Sequence, residues 1–139
     1  MAMNGSTRRV AITGIGLVTP LGNDVGSTWP ALVAGRSGIA GIANFDASGF
    51  PVRIAAEVKD FDPAARVSDR KMLKFANRLN QFALAAAEEA ILDAEVAPRP
   101  ETASRWGCVV GAGMMGVGYS ELSRVQARFA PDGEFDARA

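Results

Sequence analysis

The glycine-rich run at residues 111–116 has residue types and a spacing that suggest chemistry. It reads Gly-Ala-Gly-Met-Met-Gly and follows an apolar segment, which matches the G-x-G-x-x-G pattern of dinucleotide-binding turns. That pattern also needs an acidic residue about 20 positions further on to hold a ribose hydroxyl. Asp132 and Glu134 lie near that distance, but no apolar strand precedes them. The residues alone leave two interpretations open: a small dinucleotide-binding domain, or glycines that only turn the chain.

The chain has one thiol, Cys108, and no histidine. A thiol becomes a nucleophile when a cationic neighbour or a helix N-terminus lowers its pKa, and the run Trp106–Val110 offers neither. We therefore expect Cys108 to be buried in a strand and inert. A single cysteine cannot form an internal disulfide, which fits a reducing cytosol, and a structural zinc site is not expected.

A third candidate functional feature is a basic cluster formed by Arg70, Lys71 and Lys74. The pattern places it at the start of a long helix, where Lys71 and Lys74 share one face and Arg78 extends the patch. Cations at a helix N-terminus oppose the helix dipole, so this position does not stabilise the helix. A solvated helix face and a docking surface for an acidic partner are both open interpretations.

Composition narrows the function classes. The chain has 139 residues, of which 48% are apolar, and this suits one folded domain or a piece of a larger one. Lys plus Arg and Asp plus Glu each number 15, so no net basic field is available for nucleic acid. No apolar run has the length of a membrane span. Residues 1–7 are small and polar, and we interpret them as a flexible arm or an expression scar.

Strands and helices are predicted to alternate, as in an α/β fold. Strands are expected at 9–13, 52–58 and 106–110, with an irregular loop at 36–51. Helices are expected from Ser27, with Pro30 in the first turn, to a stop at Gly35; from about Asp69 to Glu95; and over 119–130. Gly14 and Gly16 are expected to provide unusual backbone angles after the first strand. The alanine-rich stretch 83–87 predicts that a second helix packs closely on the long one.

Five ordered blocks carry a resemblance to a known family. They are Arg8-Arg9-Val10-Ala11-Ile12-Thr13-Gly14-Ile15-Gly16, Thr19-Pro20-Leu21-Gly22, Gly35-Arg36-Ser37-Gly38-Ile39, Phe45-Asp46 and Val58-Lys59-Asp60-Phe61. In this order they resemble the start of the 3-oxoacyl-[acyl-carrier-protein] synthases, which are condensing enzymes of the thiolase-like superfamily. The resemblance continues through Gln81–Ala87 and fades after about Leu122. It implies that residues 8–139 are the N-terminal segment of the synthase N-terminal domain, the first portion of an α-β-α layered fold.

The resemblance also implies a reaction, a decarboxylative Claisen condensation of acyl and malonyl thioesters. The family uses a cysteine nucleophile in a Thr-Ala-Cys motif and two histidines, and no residue of this chain matches them. Catalytic residues are therefore expected to be absent here, and no cofactor is implied. Met114 matches the residue that gates the acyl tunnel, and core filler is its alternative role. Met115 beside it is either a tunnel residue or, preferably, core or interface filler. The basic cluster matches the docking surface for the acidic acyl carrier protein.

Three cases follow from the resemblance: a truncated enzyme, half of a split enzyme completed by a chain that carries the cysteine and histidines, or a non-catalytic module that binds a carrier protein or synthase subunit. The family forms homodimers, so self-association is expected as well. Outside the family, the alternative is the dinucleotide-binding domain.

Overall fold

Helix α3, Arg78–Asp93, is the element against which much of the chain packs. The computed structural model describes residues 9–113 and 119–128, with residues 119 and 120 described by their backbone alone. The side chain of Asn77 caps α3 by accepting a hydrogen bond from the backbone N–H of Asn80 at 2.9 Å. Ala85, in the middle of α3, is only 1% exposed and lies at the centre of the small core.

The predicted long helix from Asp69 to Glu95 is wrong at its N-terminal end. The segment before α3 instead forms a short 3-10 helix, Met72–Lys74, and the α-helix starts only after Asn77. Leu73 stays half-buried across this break, so the apolar periodicity continues where the helix does not. Periodicity alone therefore could not reveal the break.

Helix α1, Val25–Val33, begins and ends at polar and glycine signals. Its cap is Asp24, not the predicted Ser27: the Asp24 carboxylate accepts a hydrogen bond from the Ser27 backbone N–H at 2.7 Å. Pro30 consequently lies inside the helix and not in its first turn. The predicted stop at Gly35 is confirmed, because this residue has a φ of 65°, in the left-handed region that favours glycine.

The sheet is a two-stranded antiparallel ribbon of β1, Ile39–Gly41, and β2, Ile54–Ala56, with Ala40 opposite Ala55. The expected loop at 36–51 thus contains a strand, and the expected strand at 52–58 is shorter. Beyond the ladder, the carboxylate of Glu57 accepts a hydrogen bond from the Ala43 N–H at 2.9 Å. The backbone ladder also continues past Gly41, because the Ile42 N–H donates a hydrogen bond to the Arg53 carbonyl at 3.0 Å.

Two expected strands do not form in the described residues, at 9–13 and at 106–110. Neither segment has a neighbouring strand to pair with, and a strand exists only through its pairing. A 3-10 helix, Pro100–Arg105, precedes the second segment.

The remaining helices are α2, Pro63–Arg66, which packs on α3, and α4, Tyr119–Gln126, which is shorter than the expected 119–130. None of the helices in the described residues is long and apolar enough to cross a membrane.

Candidate functional site

The turn formed by Gly14, Ile15 and Gly16 lies directly on helix α3. A Cβ atom at Gly16 would overlap the backbone carbonyl oxygen of Ala86, and one at Gly14 would overlap that of Ala90. The two glycines are therefore needed for close approach of two backbones, and not for unusual backbone angles as expected. The small side chains of α3 likewise accept this turn, where the sequence predicted a second helix.

Two carboxylates of α3 fix the same turn through its backbone. Asp93 accepts a hydrogen bond from the Ile15 N–H at 2.9 Å. Glu89 accepts one from the Leu17 N–H and one from the Val25 N–H, each at 2.9 Å. Because Val25 is the first residue of α1, Glu89 connects the glycine turn, α1 and α3 at one point.

Arg66 adds a charge network around Glu89. Its guanidinium lies 3.3 Å from the Glu89 carboxylate and 3.4 Å from that of Asp24. Hydrogen bonds from the side chain and backbone of Ser27 hold the pKa of Asp24 below its usual value, and Arg66 lowers it further. These contacts tie α1 and α2 to α3.

Sequence reasoning missed this carboxylate network. Its signal was present, since Glu89 and Asp93 are four residues apart and alternate with Ala86 and Ala90 on one helix face. Acidic groups beside small residues on one face indicate a surface that receives backbone N–H groups, but the pattern does not say which segment supplies them.

The basic cluster lies in the segment between α2 and α3. Arg70, Lys71 and Lys74 are all exposed, and among the described residues none of them forms an ion pair with a carboxylate. Lys71 precedes the 3-10 helix that contains Lys74, and residues three apart in a 3-10 helix lie above one another. The shared face of the two lysines survives the change of helix type.

Arg78 does not extend this cluster as a free cation. Its guanidinium donates a hydrogen bond to the Val58 carbonyl at 2.9 Å and lies 5.0 Å from the centre of the Phe82 ring. The prediction that the cluster lies at the start of the helix is also wrong, because α3 starts at Arg78 and the three cations precede it. Only Arg78 stands at the positive end of the helix dipole.

Cys108 is exposed, so the prediction of a buried thiol is wrong for this chain. It lines an apolar groove of about 360 Å³ on α3, together with Met72, Phe75 and Val110. The expected burial required a paired strand at 106–110, and that strand does not form.

The second glycine turn contributes little to a site in the described residues. Gly111 and Gly113 are exposed, and a Cβ atom at either would meet no other atom within 4 Å. The strand that a dinucleotide fingerprint requires before Gly111 is also absent. Met114 and Met115, the predicted tunnel residues, lie outside the described residues.

Comparison with known proteins assigns these features to a family. Residues 7–134 match the model of the β-ketoacyl synthase N-terminal domain. The chain belongs to the β-ketoacyl synthase family. It is 46% identical over 114 residues to 3-oxoacyl-[acyl-carrier-protein] synthase 2 of Coxiella burnetii, and 40% identical over 114 residues to the protein of that name from Synechocystis. Each match covers 82% of this chain but only 27% of the relative.

A solved structure supports the fold. The structure titled "The ishigamide ketosynthase/chain length factor" is similar to this chain with a TM-score of 0.59 and 39% identity. The match covers 65% of this chain and 22% of that one. The predicted α/β class of the thiolase-like ketosynthases is therefore confirmed, with a sheet that is small and open in the described residues.

Proposed function

We propose that this chain is the N-terminal part of a β-ketoacyl-[acyl-carrier-protein] synthase and is not catalytic by itself. The reaction is the condensation of an acyl thioester with a malonyl thioester, in which loss of CO₂ supplies the carbanion and the enzyme thiolate is the leaving group. The proposal rests on the match of residues 7–134 to the family, combined with a sequence that contains no histidine. The chain's one cysteine lies in Trp-Gly-Cys-Val-Val, a setting without the family's Thr-Ala-Cys motif.

The assay for this proposal measures condensation of acyl and malonyl carrier proteins by the purified chain. We expect no product above the uncatalysed background. Labelling of Cys108 by an acyl thioester, followed by release of a condensed product, would contradict the proposal. The Cys108→Ser variant is the control that separates such chemistry from a contaminating synthase.

In this proposal Arg70, Lys71 and Lys74 dock the acidic acyl carrier protein. Support comes from their exposure, their lack of carboxylate partners in the described residues and the alignment of both lysines on one face. Charge complementarity of this kind mainly raises the association rate and the selectivity for a partner. Met114 would line the acyl tunnel, with Met115 beside it, because they follow Gly111-Ala112-Gly113 as the family's gating residue follows its Gly-x-Gly.

Binding to an acyl carrier protein tests the docking surface. We expect Kd to rise with salt and the double variant Lys71→Glu/Lys74→Glu to weaken binding by about tenfold, which is about 1.4 kcal/mol. Arg36→Glu/Arg105→Glu is the matched control, since it reverses two exposed cations outside the cluster. Equal weakening by both variants would contradict a specific docking role for the cluster.

Two finer assignments remain proposals. The relatives' names indicate the making of 3-oxoacyl carrier proteins, which serves fatty acid or polyketide synthesis. The cytoplasm is the compartment proposed from the single thiol.

A non-catalytic module that binds a carrier protein or synthase subunit is the second candidate function. The lack of any histidine favours it for the chain in isolation.

A further inference from the structure

A cavity of about 510 Å³ lies beside the 3-10 helix Pro100–Arg105, which follows α3 along the chain. Its lining consists of Val96, Ala97, Arg99, Thr102, Arg105 and Trp106. This volume is in the range of small-molecule sites, which combine apolar walls with a few polar groups that orient the ligand. None of these residues belongs to the proposed carrier docking surface or to the proposed acyl tunnel, so the proposed function leaves the cavity without a role.

The two arginines of the cavity lie on one face of the 3-10 helix. Such a helix has three residues per turn, so Arg99, Thr102 and Arg105 lie above one another. At a rise of about 2.0 Å per residue, the Cα atoms of the two arginines are about 12 Å apart along the helix. Glu101 is the acidic residue of this helix, and its position two residues after Arg99 places it off this face.

Both arginines are available to a ligand. Arg99 and Arg105 are exposed, and within residues 9–113 and 119–128 neither guanidinium forms an ion pair with a carboxylate. Like charges on one helix face do not stabilise the helix, so the helix itself does not explain the arrangement. A guanidinium presents a planar fork of N–H donors that matches the oxygens of a phosphoryl group.

Trp106 supplies an aromatic wall whose one polar atom is already engaged. Its indole N–H donates a hydrogen bond to the Thr102 hydroxyl at 3.2 Å. That hydroxyl also accepts from the Arg99 backbone N–H at 3.3 Å and donates to the Arg99 carbonyl at 3.1 Å, so its donor and both acceptor positions are used. The indole is 45% exposed and therefore offers the cavity aromatic surface, while its orientation is held by Thr102.

We propose that this cavity binds a nucleoside diphosphate, with the base packed on the indole of Trp106 and the phosphoryl groups on the guanidinium groups of Arg99 and Arg105. Two long cationic side chains in register can converge on two adjacent phosphoryl groups. Every nucleobase has a π face that stacks on an aromatic side chain, so the site should accept different bases. The inference goes beyond the proposed function and does not depend on it.

An inorganic anion matches the cavity less completely. Free phosphate or diphosphate would contact the two guanidinium groups but would leave the indole of Trp106 and the apolar wall of Val96 and Ala97 exposed to water. A ligand that carries both phosphoryl groups and a planar ring covers the apolar and the cationic parts of the lining together.

The test is a fluorescence titration of the purified chain. The chain has two tryptophans, so the Trp29→Phe variant leaves Trp106 as the reporter inside the cavity. Trp29 is 60% exposed, and phenylalanine keeps an aromatic ring at this position. ADP, inorganic diphosphate and adenosine are titrated separately at low ionic strength. We expect saturable quenching by ADP, with a Kd about tenfold lower than that of diphosphate or adenosine, and a rise of this Kd with salt.

Arginine variants in the same background locate the ligand. Arg99→Gln and Arg105→Gln should each raise the Kd for ADP by about tenfold, because each removes charged hydrogen bonds to a phosphoryl group. Arg105→Lys keeps the charge but not the planar fork and should be intermediate. Arg36→Gln is the matched control, since it removes an exposed guanidinium outside the cavity, and it should leave the Kd unchanged.

Several results would overturn this inference. The first is the absence of saturable quenching by millimolar ADP, and the second is an equal effect of Arg36→Gln and the two cavity variants. Equal affinity for ADP and diphosphate would refute the contact with the base, and equal affinity for ADP and adenosine would refute the contact with the phosphoryl groups. Loss of ADP binding in Gly113→Glu but not in the arginine variants would place the nucleotide at the second glycine turn instead.

Discussion

Truncation of the Glu89 side chain should lower the free energy of unfolding strongly, because one carboxylate holds three partners. Its carboxylate is 21% exposed and accepts hydrogen bonds from the Leu17 and Val25 N–H groups. It also pairs with the guanidinium of Arg66 at 3.3 Å. In Glu89→Ala all three partners lose their acceptor at once, while α3 keeps a residue of high helix propensity.

The magnitude follows from these contacts. Hydrogen bonds to a charged group contribute about 1.5–3 kcal/mol each, and the two here belong at the lower end because water can reach a partly exposed site, giving about 3 kcal/mol. The ion pair with Arg66 joins side chains that are 27% and 21% exposed, and it adds no more than about 1 kcal/mol. We therefore expect Glu89→Ala to lower the free energy of unfolding by about 3–4 kcal/mol. Glu89→Gln should be intermediate, because its amide NH₂ group would face one of the two backbone N–H donors instead of accepting from it.

Urea unfolding at neutral pH measures this loss, and amide hydrogen exchange at Leu17 and Val25 locates it. The control is Glu101→Ala, which removes an exposed carboxylate from the second 3-10 helix. A loss below about 1 kcal/mol for Glu89→Ala, with unchanged exchange at both amides, would refute the reasoning and show that water replaces the carboxylate at little cost.

Three further predictions test other parts of the structure. Gly16→Ala should destabilise the chain by about 1–3 kcal/mol because its Cβ overlaps a backbone carbonyl of α3. Gly26→Ala in α1 should stabilise the chain by about 0.5–1 kcal/mol, because its Cβ would make only an ordinary contact of 3.7 Å with the Asp24 carboxylate. Thermal unfolding measures both changes. The hydrogen bonds from Ser27 lower the folded-state pKa of Asp24 below 3.8, so the stabilisation by this carboxylate is complete above pH 3.8 and is lost as the pH falls through the lower folded-state pKa. Asp24→Asn keeps a capping side chain but does not titrate, so it should flatten the fall of the free energy of unfolding at acidic pH. An unchanged fall in the variant would contradict this. Cys108→Ser should change the free energy of unfolding by less than about 0.5 kcal/mol because the thiol is exposed, and a larger loss in urea unfolding would mean that the side chain is packed in solution.

The sequence was most informative where a local rule determines the backbone. Gly35 was predicted as a helix stop and has the positive φ that such a stop requires. The sequence was less informative where the start of a helix depends on packing against other segments. Asn77 caps α3 in the middle of a continuous apolar periodicity, so the pattern alone does not show that a new helix begins there.

The carboxylate network could be anticipated only in part, for a related reason. The spacing of Glu89 and Asp93 shows that both lie on one face of α3, but their acceptor roles depend on a turn more than 70 residues earlier in the chain. Contacts at such separations are set by tertiary packing. The basic cluster was easier to find, because exposure and like charge are properties of a short segment.

The segment 106–110, which was predicted as a strand, shows how far strand formation depends on neighbouring segments. Cys108, Val109 and Val110 have the composition of a strand buried on both faces, and yet Val109 is 98% exposed. Propensity for the strand state reflects packing against neighbours on a half-buried surface, so the same residues lose their reason to pair when those neighbours are not present.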